Sequence, residues 1–290
     1  MKNISLPRSE RKRFYDSIVD TNTTYNYYVE RLTDIAVSRF KWTGFPDSID
    51  TRFLELTLFE KGQAVVFEDD VMGLLSLNTA ISGSWNVYNV PIKRRAYATN
   101  GYNKNLTIEN SVIVFNNYIR TPSVQHILNF SKKLANIDVT IQININTQKT
   151  PIALKANKKQ QLSVLNAYKN YDGNVPVIFK EDDFKDDSIS SMSLGAPFVS
   201  PELYELKTKI WNEALTFLGV PNISETKKER MITDEVQRQM GGVLASRTSF
   251  ISMRKQACEK INKMFGLNVD VEYNYGGDGD CQNTQQNYDS

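Results

Sequence analysis

One segment, residues 200–218, constrains the fold more than any other part of the chain. Ser200 and Pro201 are a favourable N-cap and first helical residue, and Gly219 and Pro221 end the pattern. Apolar residues recur between them at helical spacing: Leu203, Leu206, Ile210, Trp211, Ala214, Leu215 and Leu218. The sequence therefore predicts a long helix with one apolar side.

The part of the chain before residue 120 predicts helices mixed with short strands. Apolar spacing and chain breakers indicate helices at residues 14–42, 50–61 (with Asp50 as N-cap) and 71–81. Strands are expected where β-branched and aromatic residues concentrate, at residues 63–67, 87–99 and 111–115.

The segment from residue 121 to residue 148 gives two conflicting signals. Thr121 and Pro122 predict the opening of a helix, and apolar residues follow at helical spacing. Val139, Ile141, Ile143 and Ile145 then alternate, which is typical of a strand. Periodicity leaves both interpretations open up to Pro151, which must interrupt either element.

The remaining segments are predicted from composition and turn residues. We expect a short helix at residues 162–168, a turn at 171–174, a strand at 175–179, and a solvated acidic loop at 181–187. Residues 231–249 are polar, contain Gly241 and Gly242, and are expected to form a flexible loop. A helix at 251–265, a strand at 267–275 and a disordered tail at 276–290 complete the prediction.

The amino-acid composition excludes several classes of function. The chain of 290 residues carries 35 Lys and Arg against 33 Asp and Glu, so strong binding of phosphates by net charge is excluded. With one histidine, the usual catalytic triads are excluded unless His126 serves in one, and the two cysteines, Cys258 and Cys281, have no zinc-site spacing. His126 is interpreted as structural. We predict no catalytic residues, no cofactor, no bound metal and no membrane span.

Basic residues are the remaining candidates for a function. The start of the chain carries Arg8, Arg11, Lys12 and Arg13 with Glu10 as its one acid, so it is either a solvated terminus or a contact for a polyanion. Further basic residues are scattered: Lys158, Lys159, Lys207, Lys209, Lys227, Lys228, Arg230, Arg238 and Arg247. They form one basic track only if the fold brings them to one face.

Six short motifs stand out together in the sequence: NTQKTP at 146–151, YDGNVPVIF at 171–179, WNEALTFLG at 211–219, KKERMITDEV at 227–236, ACEKIN at 257–262 and GLNV at 266–269. These motifs resemble those of one family, the connector (upper collar, or portal) proteins of small protein-primed tailed phages of the Picovirinae type. They stand in the family's order, and weaker likeness covers nearly everything from Arg11 to Tyr273.

The resemblance implies an α+β phage portal fold and a dodecameric ring around a channel. The implied parts are a basic arm (1–13), a wing (14–120), a first stem helix (121–148), a clip (149–199), a second stem helix (200–219), a wing segment with a channel loop (220–250), a C-terminal helix and strand (251–275) and a tail (276–290). It also implies that residues 139–145 are helical.

The resemblance further implies partners and sites. Double-stranded phage DNA would meet Lys207, Lys209, Arg238 and Arg247, and the channel loop would include Gln237, Gly241, Gly242 and Ser246. Arg8, Arg11, Lys12, Arg13, Lys158 and Lys159 would contact the packaging ATPase, with or without a packaging RNA. Other implied partners are capsid, scaffold and lower-collar (tail) proteins, in a virion assembled in the host cytoplasm.

Two features separate this chain from the family pattern. Ser193 and Glu202 occupy positions where a relative places channel lysines, so a defined lysine ring is not implied.

Two other functions stay open: a metal-dependent nucleic-acid-processing enzyme that uses the carboxylates of residues 182–187, and a small nucleic-acid-binding module that acts through its basic arm.

Overall fold

A computed structural model describes residues 8–81, 83–148, 152–154, 189–191, 197–222 and 233–274. The chain divides into two compact units. One contains Met1–Asn136 and Lys207–Ser290, and the other contains Ile137–Leu206. Mixed helix and strand agree with the predicted α+β class.

The described helices and strands are as follows. The helices are α1 (Arg8–Ser38), α2 (Thr51–Lys61), α3 (Val124–Gln148), α4 (Ser200–Leu218) and α5 (Thr233–Phe265). The strands are β1 (Phe40–Thr43), β2 (Gln63–Asp69), β3 (Gly73–Ile81), β4 (Lys93–Tyr97), β5 (Asn103–Thr107), β6 (Ser111–Phe115), β7 (Ile152–Leu154), β8 (Ile189–Ser191) and β9 (Asp270–Tyr273).

The larger unit is built on an antiparallel sheet with strand order β5-β4-β3-β2-β6. A second, two-stranded sheet pairs β1 with β9 across most of the sequence. Side chains of α1, α3 and α4, among them Leu32, Ile127, Leu134 and Leu218, form one apolar core in this unit. Another core joins α2, the sheet and the second half of α5.

Two helices begin and end where the sequence predicts. The Asp50 carboxylate accepts the Phe53 amide at 3.1 Å, which caps α2 at its start. Gly62 ends α2 at φ 80°, where a Cβ atom would lie 2.8 Å from the backbone of Thr121 and Pro122. Helix α4 spans Ser200–Leu218, as predicted, and Gly219 follows it at φ 72°.

The helix predicted at residues 71–81 is wrong, because this segment forms β3. Asp69 Oδ1 accepts the amides of Val71 and Met72 at 3.1 and 3.2 Å, which closes a tight turn after β2. The chain then pairs with β2 on one side and β4 on the other. Pairing on both sides outweighs the helical spacing of the apolar residues.

Further boundaries differ from the prediction. Helix α1 begins at Arg8 rather than 14, and it ends at Ser38 rather than 42 because residues 40–43 pair with β9. Helix α3 begins at Val124, and the Thr121 carbonyl instead accepts the side-chain amides of Asn116 and Asn117. The strand at 87–99 is confined to β4, and the one at 267–275 to β9. Strand β5 was not predicted, since its polar residues lie at an exposed sheet edge.

Residues 139–145 are helical, so the strand interpretation of their alternation is wrong and the expectation from the resemblance is confirmed. The flexible loop expected at residues 231–249 is also wrong, because α5 begins at Thr233. Its buried positions include Val243, Arg247, Phe250 and Arg254 at helical spacing. Two of these are arginines, so the buried side of this helix cannot be recognised as apolar from the sequence. The predictions for residues 162–187 and 276–290 lie outside the described residues.

A buried ion pair connects the elements of the larger unit. Arg254 of α5 donates to both Glu55 oxygens, at 2.8 Å from Nε and 2.7 Å from Nη2, and its Nη1 donates to the carbonyls of Asn116 and Phe250. Trp42 Nε1 of β1 also donates to Glu55, at 2.8 Å. One carboxylate on α2 thereby holds β1 and α5.

Replacing one partner of this pair should destabilise the protein strongly. Arg254→Met leaves the Glu55 carboxylate buried without its cation, and we expect a loss of about 3–5 kcal/mol in the free energy of unfolding. The double variant Glu55→Leu with Arg254→Met removes both charges and should regain much of that loss. Urea unfolding followed by circular dichroism at one protein concentration measures both. A double variant no more stable than Arg254→Met would contradict this account.

The turn after β2 should be sensitive to acid. Hydrogen bonds from Tyr102 first, and then from the Val71 and Met72 amides, hold the pKa of Asp69 well below its usual range. A depressed pKa contributes stability above the unfolded value of about 3.9, and this contribution is lost as the pH falls through the folded pKa. We expect Asp69→Asn to lower the melting temperature at pH 6. The difference from the wild type should shrink as the pH is lowered below about 4. A constant difference would contradict this account.

Candidate channel helices and their anchor

The last carbonyls of α4 are held by two buried arginines. Arg39, just after α1, donates from Nη1 to the Leu218 carbonyl at 2.9 Å, and Arg247 of α5 donates from Nε to the Gly219 carbonyl at 2.8 Å. Carbonyls at a helix end lack partners within the helix and carry partial negative charge. The two guanidinium groups supply both the donors and the opposite charge.

The anchor is closely packed. A Cβ atom on Gly219 would lie 2.8 Å from Arg247 Cγ and 2.9 Å from the Tyr273 hydroxyl, so this position requires glycine. The Arg247 guanidinium lies 4.8 Å from the centre of the Tyr273 ring. Burial lowers the pKa of Arg39 to about 10. This value is still well above neutral pH, so the side chain remains charged. We call these two arginines with the carbonyls of Leu218 and Gly219 the α4 anchor.

In the smaller unit, Asn144 of α3 holds the start of α4. Its Oδ1 accepts the Val199 amide at 3.0 Å and the Ser200 hydroxyl at 2.9 Å, and its Nδ2 donates to the Pro197 carbonyl at 2.8 Å. One side chain therefore joins the two predicted stem helices in this unit. The sequence gives no sign of this role, except that the spacing of apolar residues changes from helical to alternating around Asn144.

The candidate DNA contacts on α4 lie among acidic neighbours. Lys209 is exposed, while Lys207 is half-buried with its ammonium 6.0 Å from the centre of the Tyr28 ring. Glu202 and Glu205 are exposed on the same helix. From residue 139 to residue 148, α3 carries no charge at all. These described parts of the two helices thus carry little net charge.

Two exposed cations on α3 were not among the predicted sites. Lys132 and Lys133 follow each other on this helix, and the Lys133 ammonium lies 5.6 Å from the centre of the Phe130 ring. A pair of lysines inside a predicted helix is the signal that could have identified them.

The predicted channel-loop residues all lie on helix α5. Gly241 is exposed, Gly242 and Ser246 are half-buried, and Gln237 and Arg238 lie in its first turns. Arg247 is only 4% exposed and belongs to the α4 anchor, which argues against its predicted contact with DNA. The structure therefore separates Arg247 from the other candidates on α5.

The other candidates are described only in part. Arg8, Arg11, Lys12 and Arg13 occupy the first turns of α1, and Lys158 and Lys159 lie outside the described residues. His126 is exposed, with its ring 4.8 Å from that of Phe217. Among the described residues, no group of three or more His, Cys, Asp or Glu side chains could hold a metal ion. No described helix is long and apolar enough to cross a membrane.

A family comparison gives this geometry its context. The sequence model of the family described as Phage Connector (GP10) matches residues 4–276. The chain belongs to the phage connector family. The match covers nearly the whole sequence, so it includes both predicted stem helices and the α4 anchor.

Solved structures show the same fold for this connector chain. It is similar to a chain in the portal and tail of native bacteriophage P68, with 17% identity, a TM-score of 0.52, and coverage of 94% of this chain and 92% of the other. It is also similar to a chain in the virion of a native gene transfer agent particle, with 9% identity, a TM-score of 0.50, and coverage of 94% and 88%. The predicted phage portal fold is confirmed.

The two glycines of α5 provide a matched test of its helical structure. A Cβ atom on Gly241 meets nothing within 4 Å, so Gly241→Ala should raise the free energy of unfolding by about 0.5–1 kcal/mol. A Cβ atom on Gly242 would lie 3.3 Å from Thr216 Cγ2, so Gly242→Ala should stabilise less. Urea unfolding measures both variants. Destabilisation by Gly241→Ala would contradict a continuous helix through these residues.

Proposed function

We propose that this connector chain forms a closed ring at the head-tail vertex of a tailed phage, and that the genome passes through the ring during packaging and ejection. The proposal rests on the family match over residues 4–276 and on the portal fold. The family resemblance gives twelve subunits as the expected number. The proposed role is structural, and the motor that drives DNA would be a separate packaging ATPase.

The apolar surface of the smaller unit is the observation that carries the ring. Large apolar side chains remain exposed on its described helices and the segment before α4: Ile143, Ile145, Phe198, Tyr204 and Leu206. Isolated exposed apolar residues are ordinary, but several in one small unit indicate a contact surface. In a ring, each subunit gives one face to the next, and the contacts close without free ends.

A nearly neutral lining suits a passage for DNA. Each phosphate that a fixed cation neutralises adds to binding through counterion release, so a densely basic channel would hold DNA in place. The exposed Lys209 stands beside exposed Glu202 and Glu205, and the last ten residues of α3 are uncharged. We propose Lys207, Lys209 and Arg238 as the remaining weak DNA contacts, with Lys132 and Lys133 added.

The ends of the ring would bind other proteins. We propose that Arg8, Arg11, Lys12 and Arg13 at the start of α1, with Lys158 and Lys159, face the packaging ATPase or a packaging RNA. Capsid, scaffold and tail proteins would bind elsewhere on the ring in the virion. These contacts follow from the family resemblance.

The particle mass tests the ring. Light scattering in moderate salt should give a mass near twelve times the 33.1 kDa of one chain, and negative-stain images should show an axial hole. Leu206→Glu places a charge in the proposed contact and should reduce the mass, whereas Glu205→Gln, also exposed on α4, should leave it unchanged.

A stable wild-type monomer or dimer would contradict the ring and favour a small nucleic-acid-binding module. Hydrolysis of DNA or nucleotide by the purified chain with magnesium would favour a nucleic-acid-processing enzyme instead.

A further inference from the structure

The loop that joins β3 to β4 is held in one shape by its own hydrogen bonds. Asn86 Oδ1 accepts the amides of Tyr88 at 2.9 Å and Val90 at 2.8 Å, and the Asn86 amide donates to the Val90 carbonyl at 3.0 Å. Trp85 and Pro91 form a β-bridge at its base. The loop is thus a small hairpin with Val87 and Tyr88 at its tip.

This hairpin tip exposes apolar side chains. Val87 is 91% exposed and Tyr88 78%, and Trp85 at the base is about half exposed. Tyr118 and Ile119, on the turn before α3, are also exposed. The Arg120 guanidinium donates to the Asn89 carbonyl and thereby ties that turn to the hairpin. We call the exposed side chains of Trp85, Val87, Tyr88, Tyr118 and Ile119 the hairpin patch.

The two residues that make this tie have left-handed backbone conformations, which are common for asparagine but strained for Arg120. Asn89 has φ 54° and Arg120 has φ 58°, and they are the only non-glycine residues with positive φ among the described residues. A long side chain such as arginine rarely adopts this conformation. Strained residues persist where the surrounding structure holds them, and they concentrate at binding sites. Here both lie at the ends of one hydrogen bond that brings two exposed apolar segments together.

Two exposed cations follow the hairpin in the chain. Lys93 and Arg95, at the start of β4, are exposed and have no acidic partner among the described residues. Residues 83–120 contain a single carboxylate, the exposed Glu109. The nearby Lys104, by contrast, is paired with Asp69 and Asp70. Two cations without an acidic partner among the described residues therefore come directly after the apolar hairpin in the sequence.

We propose that the hairpin patch is a docking site for an acidic amphipathic segment of a partner protein. Its apolar side chains would cover Val87, Tyr88 and Ile119, and its carboxylates would meet Lys93 and Arg95. Tyrosine and tryptophan in a preorganised loop are typical anchors of protein interfaces, because little conformational entropy is lost when they bind. The apolar centre favours a protein over a nucleic acid. This inference goes beyond the proposed ring and does not depend on it.

Fluorescence anisotropy of labelled peptides tests the site on the purified full chain in whatever assembly it forms. The probe is a short amphipathic helical peptide of Leu and Glu, compared with the same peptide carrying Lys in place of Glu. We expect the acidic peptide to bind at least about tenfold more tightly, and we expect its affinity to fall with salt.

Matched variants locate the binding. Val87→Ser with Tyr88→Ser should weaken binding of the acidic peptide by about tenfold or more. Lys93→Gln with Arg95→Gln should remove most of its salt dependence. The control, Val71→Ser with Met72→Ser, changes the other exposed apolar turn of the same sheet and should leave the affinity unchanged.

Three results would overturn the proposal. One is equal affinity for the acidic and basic peptides, and another is unchanged affinity in the Val87→Ser and Tyr88→Ser variant. The third is a lower particle mass for that variant in light scattering with normal circular dichroism, because this would show that a second copy of the chain covers the hairpin patch. A failure of the wild-type chain to form a ring leaves the peptide result interpretable.

Discussion

Three buried guanidinium groups, those of Arg39, Arg247 and Arg254, determine how the larger unit is held together. A buried charge is costly unless it finds acceptors, so each of these side chains must end on an oxygen. Arg254 meets the Glu55 carboxylate, and the other two meet the carbonyls that end α4. Two of these contacts join segments far apart in sequence, with separations of 179 residues for Arg39–Leu218 and 199 residues for Arg254–Glu55. The larger unit is therefore held by arginines as well as by its apolar cores.

The α4 anchor has a direct bearing on the proposed channel. Arg39 follows the helix whose first turns carry the basic arm, and Arg247 lies on the helix that begins with the predicted channel-loop residues. Both donate to carbonyls at the end of α4, the predicted second stem helix. Helix α4 is therefore attached at one place to the residue that follows α1 and to α5.

The parts of the fold that sequence predicted correctly are those with local causes. Helices α2 and α4 have caps and breakers within a few residues of their ends, and β2 and β6 have β-branched and aromatic residues at their centres or ends. Predictions failed where distant partners decide. Residues 73–81 form β3 and not a helix, because they pair with a strand on each side. Phe40 and Trp42 lie in β1 and not in a longer α1, because β1 pairs with β9. The sequence did not predict the N-terminal half of α5, because an arginine such as the buried Arg247 is normally expected at the surface.

The sequence by itself determined the family, the portal fold class and the bounds of α4, because these depend on short motifs and helix caps. Tertiary structure alone decided the role of each basic residue. Arg247 and Lys209 look equivalent in sequence, yet one is 4% exposed against the end of α4 and the other is exposed to solvent. The physical reason is that a cation binds whichever oxygen the fold brings near it. For Arg247 this is the carbonyl of Gly219, 28 residues away in the chain.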